Sequence, residues 1–358
     1  MALSSPTRMS RTGQHVLLEG VGGAPRLVLA QLPTPLQRAT RLEHVLGCPP
    51  LYVKRDDLTG FALGGNKVRK LEYLLGRALT EGADVLITGG GPTSNHCMTA
   101  AAAARVSGLG CILVLYGEPP EHPPTALHVA RQFGPQLRFT GDPDRRSVDR
   151  WLPAVARQQR AGGRRPSVVP RGGATLVGSL AYVQALEELA AQLASRQLEA
   201  ECLLVATGSC GTQAGLLAAS IAGGHPWRVV GASVSRPVDE CAERVLTLAT
   251  ACAERLGSRP PRRDEVVLRD ARGPGFGKPS QPGEDLARQA AEAEGLLLDP
   301  FYTAKAMAEL SGLAAEGLTG PVVFWHTGGT PAVLSPSRGT PDESADPAHG
   351  ARTSTRSP

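Results

Sequence analysis

Gly64-Gly65-Asn66-Lys67-Val68-Arg69-Lys70 decides the fold, because it joins a β-prone segment to a helix. The helix is predicted by leucines at helical spacing, which are Leu71, Leu74, Leu75 and Leu79. Two glycines let the backbone approach a flat or anionic group closely. Lys67 and Lys70 lie about one turn apart on one helical face. One amine could form a Schiff base with an aldehyde cofactor while the other meets its phosphate. The alternative is a glycine turn before a solvated basic helix end.

Composition narrows the class of protein. The chain has 358 residues with 41% hydrophobic content, enough for two lobes that share a cleft. A net charge of +5 without aromatic residues between the basic ones argues against a nucleic-acid partner. No apolar run approaches membrane-spanning length, so no membrane association is expected. Seven cysteines without a close C-x-x-C pair favour reduced thiols in the cytoplasm over disulfides or a zinc site.

Apolar runs alternate with helical patterns along most of the chain. Strands are predicted at residues 84–88, 111–116, 168–169, 202–206, 229–234 and 322–325. Helices are predicted at residues 95–106, 124–133, 178–195, 215–221, 238–255, 284–294 and 303–312. This alternation predicts an α/β protein with open parallel sheets flanked by helices. Ligands of such sheets bind beyond the carboxyl ends of the strands, where this sequence concentrates its polar residues and glycines.

Two strand-to-helix joints carry candidate binding groups. Thr207-Gly208-Ser209-Cys210-Gly211-Thr212 presents N–H groups at a helix start, which suits a phosphate but also a simple tight turn. Ser94 is a helix N-cap or a hydroxyl beside a cofactor, and Asn95 could point into the same cleft. His96 is either a structural or a catalytic histidine. Both joints are therefore candidate parts of one site.

Three later stretches add candidates to the same site. Thr327 belongs to a polar and glycine-rich joint after the last strand. Tyr302 and Thr303 stand at a helix start. Phe276 belongs to a flexible loop, residues 273–279, that could cover the site.

Taken together, these motifs resemble the D-cysteine desulfhydrase and 1-aminocyclopropane-1-carboxylate deaminase family, over roughly residues 31–334. The motifs that carry the resemblance are Leu-Pro-Thr-Pro-Leu (32–36), Lys-Arg-Asp-Asp-Leu (54–58), Gly-Gly-Asn-Lys-x-Arg-Lys (64–70), Ser-Asn-His (94–96), Thr-Gly-Ser-x-Gly-Thr-Gln-Ala-Gly (207–215), Asp-Pro-x-Tyr-Thr-x-Lys (299–305) and His-Thr-Gly-Gly (326–329).

The resemblance implies a fold and a domain organisation. It implies the two-lobed type II fold of pyridoxal 5'-phosphate (PLP) enzymes, similar to tryptophan synthase β, with the cofactor in the cleft. The predicted large domain comprises residues 14–66 and 179–334, and the small domain comprises residues 67–178. Disordered tails are predicted for residues 1–13 and 335–358. A homodimer is implied by the resemblance alone.

The resemblance also assigns roles by position. Lys67 would be the Schiff-base lysine, Ser94 a proton carrier near the substrate, and Phe276 would take the place of a tyrosine usual at its loop position. The cofactor would be bound by Lys70 and by Thr207, Gly208, Ser209, Cys210, Gly211 and Thr212 around the phosphate, by Asn95 at the ring hydroxyl, by Tyr302 against the ring, and by Thr303 and Thr327 near the pyridine nitrogen.

These roles imply a lyase acting on a small amino acid. Relatives that open a cyclopropane ring carry glutamate directly after the tyrosine, where this chain has Thr303. A hydroxyl there favours α,β-elimination, as in D-cysteine desulfhydrase, giving an oxo acid, ammonia and the leaving group. Phe276 and Pro92-Thr93 depart from the family pattern and alter the pocket. A deaminase of the cyclopropane type, a biosynthetic eliminase or racemase, and a non-catalytic PLP-binding relative stay open as alternatives.

Overall fold

The computed structural model describes residues 8–12 and 15–335. The strands, in chain order, are β1 Arg8–Thr12, β2 His15–Glu19, β3 Pro25–Leu27, β4 Leu36–Arg38, β5 Leu51–Arg55, β6 Val85–Gly90, β7 Gly110–Leu115, β8 Gln136–Phe139, β9 Pro166–Val168, β10 Cys202–Thr207, β11 Arg228–Ser233, β12 Val267–Asp270 and β13 Val322–His326. The helices are α1 Thr40–Leu46, α2 Asn66–Thr80, α3 Asn95–Val106, α4 Thr125–Arg131, α5 Ser147–Ala161, α6 Leu176–Ala194, α7 Gly211–Ala222, α8 Val238–Leu256, α9 Gln281–Glu294, α10 Thr303–Ala315 and α11 Thr330–Val333.

Two open sheets organise the molecule. The larger has six strands in the order β12-β11-β10-β13-β5-β4, all parallel except for β4 at the edge. The smaller has four parallel strands in the order β8-β7-β6-β9. This confirms the predicted α/β class with open parallel sheets. All four strands of the smaller sheet lie within residues 67–178, the segment that we propose as the small domain.

Both faces of the larger sheet are covered, as a parallel sheet requires. Successive side chains of β10 point to opposite faces. Leu203 and Val205 pack with α6, α7 and α8, whereas Cys202 and Leu204 pack with α1, α9 and α10. Their complete burial explains why this strand is a continuous apolar run.

A buried ionic network fixes α2 against the larger sheet. The Asp56 carboxylate, just after β5, accepts hydrogen bonds from Arg69 at 2.9 Å, from Tyr182 at 2.7 Å and from Trp325 at 2.8 Å. Arg69 also donates to Glu188 on α6 at 2.9 Å, and Lys54 pairs with the same carboxylate. A buried ion pair needs such additional hydrogen bonds to offset its desolvation. The network therefore sets the position of the helix that carries Lys67.

Some elements differ from the sequence prediction. Arg8–Thr12 falls in the predicted N-terminal disordered segment, but it forms strand β1, which pairs antiparallel with β2. Residues 1–7 and 336–358 of the predicted tails lie outside the described residues. Helix α5 was not predicted, since Pro153 stands inside it and interrupts the helical pattern.

Helix length and hydropathy also bear on membrane association. Among the helices of residues 8–12 and 15–335, none combines the length and apolar character needed to cross a bilayer.

Candidate active site

A cavity of about 380 Å³ lies where the carboxyl ends of β6, β10 and β13 meet the starts of α2, α3 and α7. This is the edge at which ligands of open parallel sheets bind. The structure brings most of the predicted site residues to its wall, namely Lys67, Ser94, Asn95, Thr207, Gly208, Ser209, Cys210, Thr212, Phe276, Tyr302 and Thr327. Lys70, Gly211 and Thr303 do not line it.

Lys67 brings a reactive amine to the cavity. Its Nζ donates to Oδ1 of the neighbouring Asn66 at 2.7 Å, and Asn66 in turn donates to the Thr212 hydroxyl at 3.2 Å. Burial lowers the pKa of the Lys67 amine to about 8, although the Asp299 carboxylate partly opposes this shift. A lysine whose charged form is disfavoured in this way is a usable base or nucleophile.

The two glycines before Lys67 are required by close backbone approach. Gly65 has a φ of +55°, and a Cβ there would overlap the carbonyl oxygen of Thr327. A Cβ at Gly64 would overlap the side chain of Thr99 on α3. The start of α2 is thus wedged between the last strand and α3, which aims Lys67 into the cavity.

Ser94 and Asn95 are held at the start of α3. The Ser94 hydroxyl accepts from the Cys97 N–H at 3.2 Å, so it is the N-cap, and its own proton remains free for donation into the cavity that it lines. Asn95 donates through Nδ2 to the Gly64 carbonyl at 3.1 Å. Its buried Oδ1 has no partner among the described residues. Both proposed roles of Ser94 are therefore geometrically compatible.

The loop at the start of α7, residues 207–212, has the backbone donors that an anion cradle requires. The backbone N–H groups of residues 209–213 donate to no other group in the described part of the chain. Cys210 has a left-handed backbone (φ of +76°) at the N-cap position, which is unusual for a residue with a side chain. Strain of this kind persists where the surrounding structure imposes it. A left-handed residue in such a loop can bring successive N–H groups together as an anion-binding nest.

Lys70 lies behind the cradle. Its Nζ is buried without a hydrogen-bond partner in the described chain, 5.8 Å from the centre of the Tyr182 ring. A Cβ at Gly211 would lie 3.3 Å from it, so glycine lets the loop sit directly over the amine. Burial and the positive charge of Lys67 lower the pKa of Lys70 well below its ordinary value. An anion bound on the loop would favour the protonated form of Lys70, and the protonated amine would in turn stabilise that anion.

Thr303, predicted to lie near the pyridine nitrogen of the cofactor, does not line the cavity. Its hydroxyl donates to Asp299 Oδ2 at 2.7 Å and accepts from the Asp299 N–H at 2.7 Å, so it is turned away from the cavity. Asp299, which does line the cavity, also accepts the N–H groups of Phe301, Tyr302 and Thr303 at 2.9–3.0 Å. The carboxylate therefore caps α10, and all of its acceptor positions are used.

Thr327 is the hydroxyl that remains at this wall. It is buried, lines the cavity, and its side chain has no hydrogen-bond partner in the described chain. Tyr302 lies against Gly208, where a Cβ would be 3.0 Å from its ring. Desolvation by the surrounding cavity walls, followed by the effects of Asp299 and Tyr116, raises the pKa of the Tyr302 phenol, although the residue is 38% exposed. A planar group could be bound between this ring and the opposite wall.

His96 is structural in its contacts. Thr88 donates its only hydroxyl proton to the Val169 carbonyl at 2.7 Å, so it must accept from His96 Nε2 at 2.9 Å. Burial, together with Lys67 and Lys70, lowers the pKa of His96 to about 3. The imidazole is therefore neutral, with its proton on Nε2.

Several cavity residues were not predicted. They are Asn66, Tyr116, Arg145, Arg171, Gln213, Ser235, Arg236 and Asp299. Asp299 was visible in the Asp-Pro-x-Tyr motif, where it stands four residues before the first residue of α10 and can accept N–H groups at the helix start. The arginines come from loops without a motif, so only the folded chain brings them together.

Comparisons with known proteins agree with this geometry. The sequence matches the family described as "Pyridoxal-phosphate dependent enzyme" over residues 27–328. A putative 1-aminocyclopropane-1-carboxylate deaminase of Pyrococcus abyssi is 38% identical over 311 residues, which are 87% of this chain and 93% of that one. The D-cysteine desulfhydrase of Salmonella choleraesuis is 39% identical over 322 residues, which are 87% and 96% of the two chains.

Solved structures agree on the fold. The crystal structure of an ACC deaminase homologue superposes with a TM-score of 0.81 at 37% identity, covering 86% of this chain and 93% of that one. A PLP-dependent aspartate racemase, 14% identical, matches in fold alone, with a TM-score of 0.61 over 83% of this chain and 90% of that one.

Proposed function

This chain belongs to the family of pyridoxal-phosphate dependent enzymes, and we propose that it catalyses α,β-elimination on a small amino acid. The products would be an oxo acid, ammonia and the leaving group from the β-carbon. One observation carries this proposal: Lys67, Thr327 and Asp299 line the same cavity. Among the described residues, the Thr327 hydroxyl has no hydrogen-bond partner, whereas all acceptor positions of the Asp299 carboxylate are used.

The residues present fit the cofactor. An aldehyde requires an amine that loses its proton readily, and Lys67 is such an amine. A phosphate requires donors, which the free N–H groups of residues 209–213 supply above the unpartnered Lys70. The unpartnered Oδ1 of Asn95 is available to the ring hydroxyl. When bound, the cofactor supplies the electron sink for charge that develops at the α-carbon of the substrate.

Proton transfer falls to Lys67 and Ser94. With a pKa of about 8, the Lys67 amine is a base near neutral pH and can take the α-proton. Ser94 lines the same cavity and keeps a free hydroxyl proton, so it can relay a proton or bind the substrate carboxylate. Tyr302 stays protonated and contributes its ring as a wall.

Elimination is favoured over ring opening by the wall around Asp299. A carboxylate free to bind a ring nitrogen would strengthen the electron sink, but every acceptor position of Asp299 is already bonded to residues 301–303. Thr327 offers only a hydroxyl. The weaker sink suits a reaction in which a good leaving group departs. Thr303 favours elimination indirectly, because its hydroxyl donates to Asp299 and keeps that carboxylate at the start of α10.

The main alternatives are ring opening of the 1-aminocyclopropane-1-carboxylate type, and elimination or racemisation on another small amino acid. Phe276 in place of a phenol argues against ring opening. A non-catalytic relative is disfavoured, because Lys67, Ser94, Asn95 and Tyr302 all line one cavity.

A substrate panel tests the proposal. The holoenzyme is incubated with D-cysteine, L-cysteine, β-chloro-D-alanine and 1-aminocyclopropane-1-carboxylate, and sulfide, pyruvate and 2-oxobutyrate are measured. We expect pyruvate from at least one β-substituted amino acid, and none with Lys67→Ala. Formation of 2-oxobutyrate alone would contradict the proposal. Phe276→Tyr on the same panel shows what the missing phenol changes.

A homodimer and a cytoplasmic location complete the proposal. The first rests on family resemblance, and sedimentation of the purified protein tests it. The second is supported by seven cysteines that are all free thiols. Fractionation of the source cells tests the location.

A further inference from the structure

Arg145 brings an uncompensated positive charge to the cavity. It lies in the loop between β8 and α5, on the side of the smaller sheet, and it lines the cavity. Its guanidinium stacks on the Phe276 ring at 4.6 Å and donates one hydrogen bond, of 2.9 Å, to the Ser235 carbonyl oxygen. A guanidinium has five N–H donors. No carboxylate pairs with Arg145 among the described residues.

The neighbouring charges do not supply the missing partner. Arg171 also lines the cavity, but Asp149 accepts its Nε–H at 2.9 Å. Arg236 pairs with Glu240 and donates to the Gly208 carbonyl at 3.2 Å. Three guanidinium groups against two carboxylates leave one excess positive charge at the cavity rim. Burial, followed by repulsion from Arg236 and Arg171, lowers the pKa of Arg145. An anion bound beside the guanidinium would offset both the desolvation and the repulsion.

The charge of Arg145 is not required to bind the cofactor phosphate or the α-carboxylate of the substrate. The cofactor phosphate has the cradle of residues 209–213 with Lys70 behind it, and the α-carboxylate of the substrate has Ser94 and the start of α3. Arg145 approaches the cavity from a different element, the loop between β8 and α5, and lies beside Phe276.

We propose that Arg145 is a specificity-determining residue that binds a second anionic group, on the side chain of the amino-acid substrate. This inference rests on the proposed function and gives it a substrate class, amino acids whose β-substituent is a sulfonate or a phosphate, which leave as sulfite or phosphate; a β-carboxylate can be bound but not eliminated. The planar fork of arginine matches such oxyanions in two parallel hydrogen bonds.

Two other roles are open to this side chain. Arg145 could hold the two lobes together, since it spans from the β8–α5 loop to Ser235 and Phe276. It could also bind the α-carboxylate. Either role would affect all amino acids alike, whereas the proposed role affects only those with a second negative charge.

The test measures equilibrium binding to the holoenzyme by calorimetry for amino acids that it does not consume, and kcat/KM for those that it eliminates. Both enantiomers of alanine, aspartate, cysteate and O-phosphoserine are compared in the wild type, Arg145→Met and Arg145→Lys. Cofactor content is measured for each variant. Arg146→Met is the matched control, because Arg146 is the exposed neighbour in the same loop and does not line the cavity.

We expect at least one dianionic amino acid to bind the wild type more tightly than alanine. Arg145→Met should weaken that ligand by roughly 10- to 100-fold, the range for a hydrogen bond to a charged group. The affinity for alanine should change by no more than twofold in Arg145→Met. Arg145→Lys should bind the dianionic ligand with an affinity between those of Arg145→Met and the wild type, and Arg146→Met should match the wild type.

Equal losses for alanine and the dianionic ligands, or no preference in the wild type, would overturn the inference while leaving the elimination intact. If no amino acid binds a holoenzyme of full cofactor content, both the inference and the proposed function are wrong. The anionic amino acid with the largest increase in affinity over alanine identifies the oxyanion that Arg145 selects.

Discussion

The backbone N–H of Asn66 donates to the carbonyl oxygen of Thr327 over 2.9 Å, which ties the residue before Lys67 to the end of the last strand. Two motifs separated by most of the chain thus form one wall of the cavity. The contact depends on the absence of a side chain at Gly65. It makes the amine of Lys67 and the hydroxyl of Thr327 parts of one rigid unit.

The glycine before Asn66 gives a first prediction. Gly65→Ala should destabilise the protein by about 3 kcal/mol or more, because it combines positive-φ strain with overlap on Thr327. Gly82→Ala is the matched control, since Gly82 also has a positive φ (+69°) but nothing within 4 Å of its Cβ position. It should lose only about 1 kcal/mol. Urea unfolding measures both, and equal losses would show that the Thr327 contact is unimportant.

The buried network at Asp56 gives a second prediction. Arg69→Met leaves Asp56 and Glu188 without their shared cation, so the free energy of unfolding should fall by about 3–5 kcal/mol. Arg77→Met on the same helix is the control, because Arg77 is partly exposed and pairs only with Glu81 at 3.5 Å. Its loss should stay within about 0.5 kcal/mol. Similar losses in the two variants would contradict the role of the network.

Thr327, which lines the cavity, and Thr303, which does not, should behave differently. Thr303→Val removes hydrogen bonds to Asp299 and should lower stability by about 1–3 kcal/mol, with rescue by Thr303→Ser. Thr327→Val should instead weaken cofactor binding, because Thr327 lines the cavity. Unfolding of the apoprotein and titration with PLP separate these effects. If Thr303→Val weakens the cofactor as much as Thr327→Val without a stability loss, Thr303 has a direct role.

The lowered pKa of Lys67 predicts how cofactor uptake depends on pH. Only the neutral amine attacks an aldehyde, so the rate at which apoprotein reacts with PLP should rise with pH and reach half of its maximum near pH 8. Asp299→Asn removes the carboxylate that raises this pKa, so its midpoint should move to lower pH. Stopped-flow absorbance measures the rate.

The same shift affects the stability of the apoprotein. The folded-state pKa of Lys67 lies near 8, below the ordinary value of 10.5, so the unfolded chain binds more protons between these values. Stability should therefore rise with pH through this window, all else equal. Subtracting the profile of Lys67→Met isolates the contribution. A difference profile that is flat from pH 8 to 10.5, or a reaction midpoint near 10.5, would contradict the burial effect.

Local patterns in the sequence predicted the regular elements well. Helix α3 has the predicted bounds, Asn95–Val106, because glycines and an N-cap precede an unbroken alanine-rich run. Strand β10 was predicted to within one residue, since a fully buried strand is a continuous apolar run. Helix α5 was missed because Pro153 interrupts its pattern.

Most of the predicted site residues that line the cavity belong to motifs. Lys67, Ser94, Asn95 and the cradle follow strand ends, and the topology brings strand ends together. Thr303 was assigned to the wall because it follows Tyr302, but at a helix start adjacent residues point in different directions. Arg145 could not be found from the sequence, because its position depends on two lobes meeting across the cleft.

The most direct test of the account is to locate the cofactor on the chain. The holoenzyme is reduced with borohydride, digested, and the modified peptide is sequenced by mass spectrometry. We expect one modified residue in the wild type, Lys67. Lys67→Ala should carry no stable modification, and Lys70→Ala should still be modified at Lys67. Modification at Lys70 or at another lysine, or none in wild-type protein loaded with PLP, would contradict it.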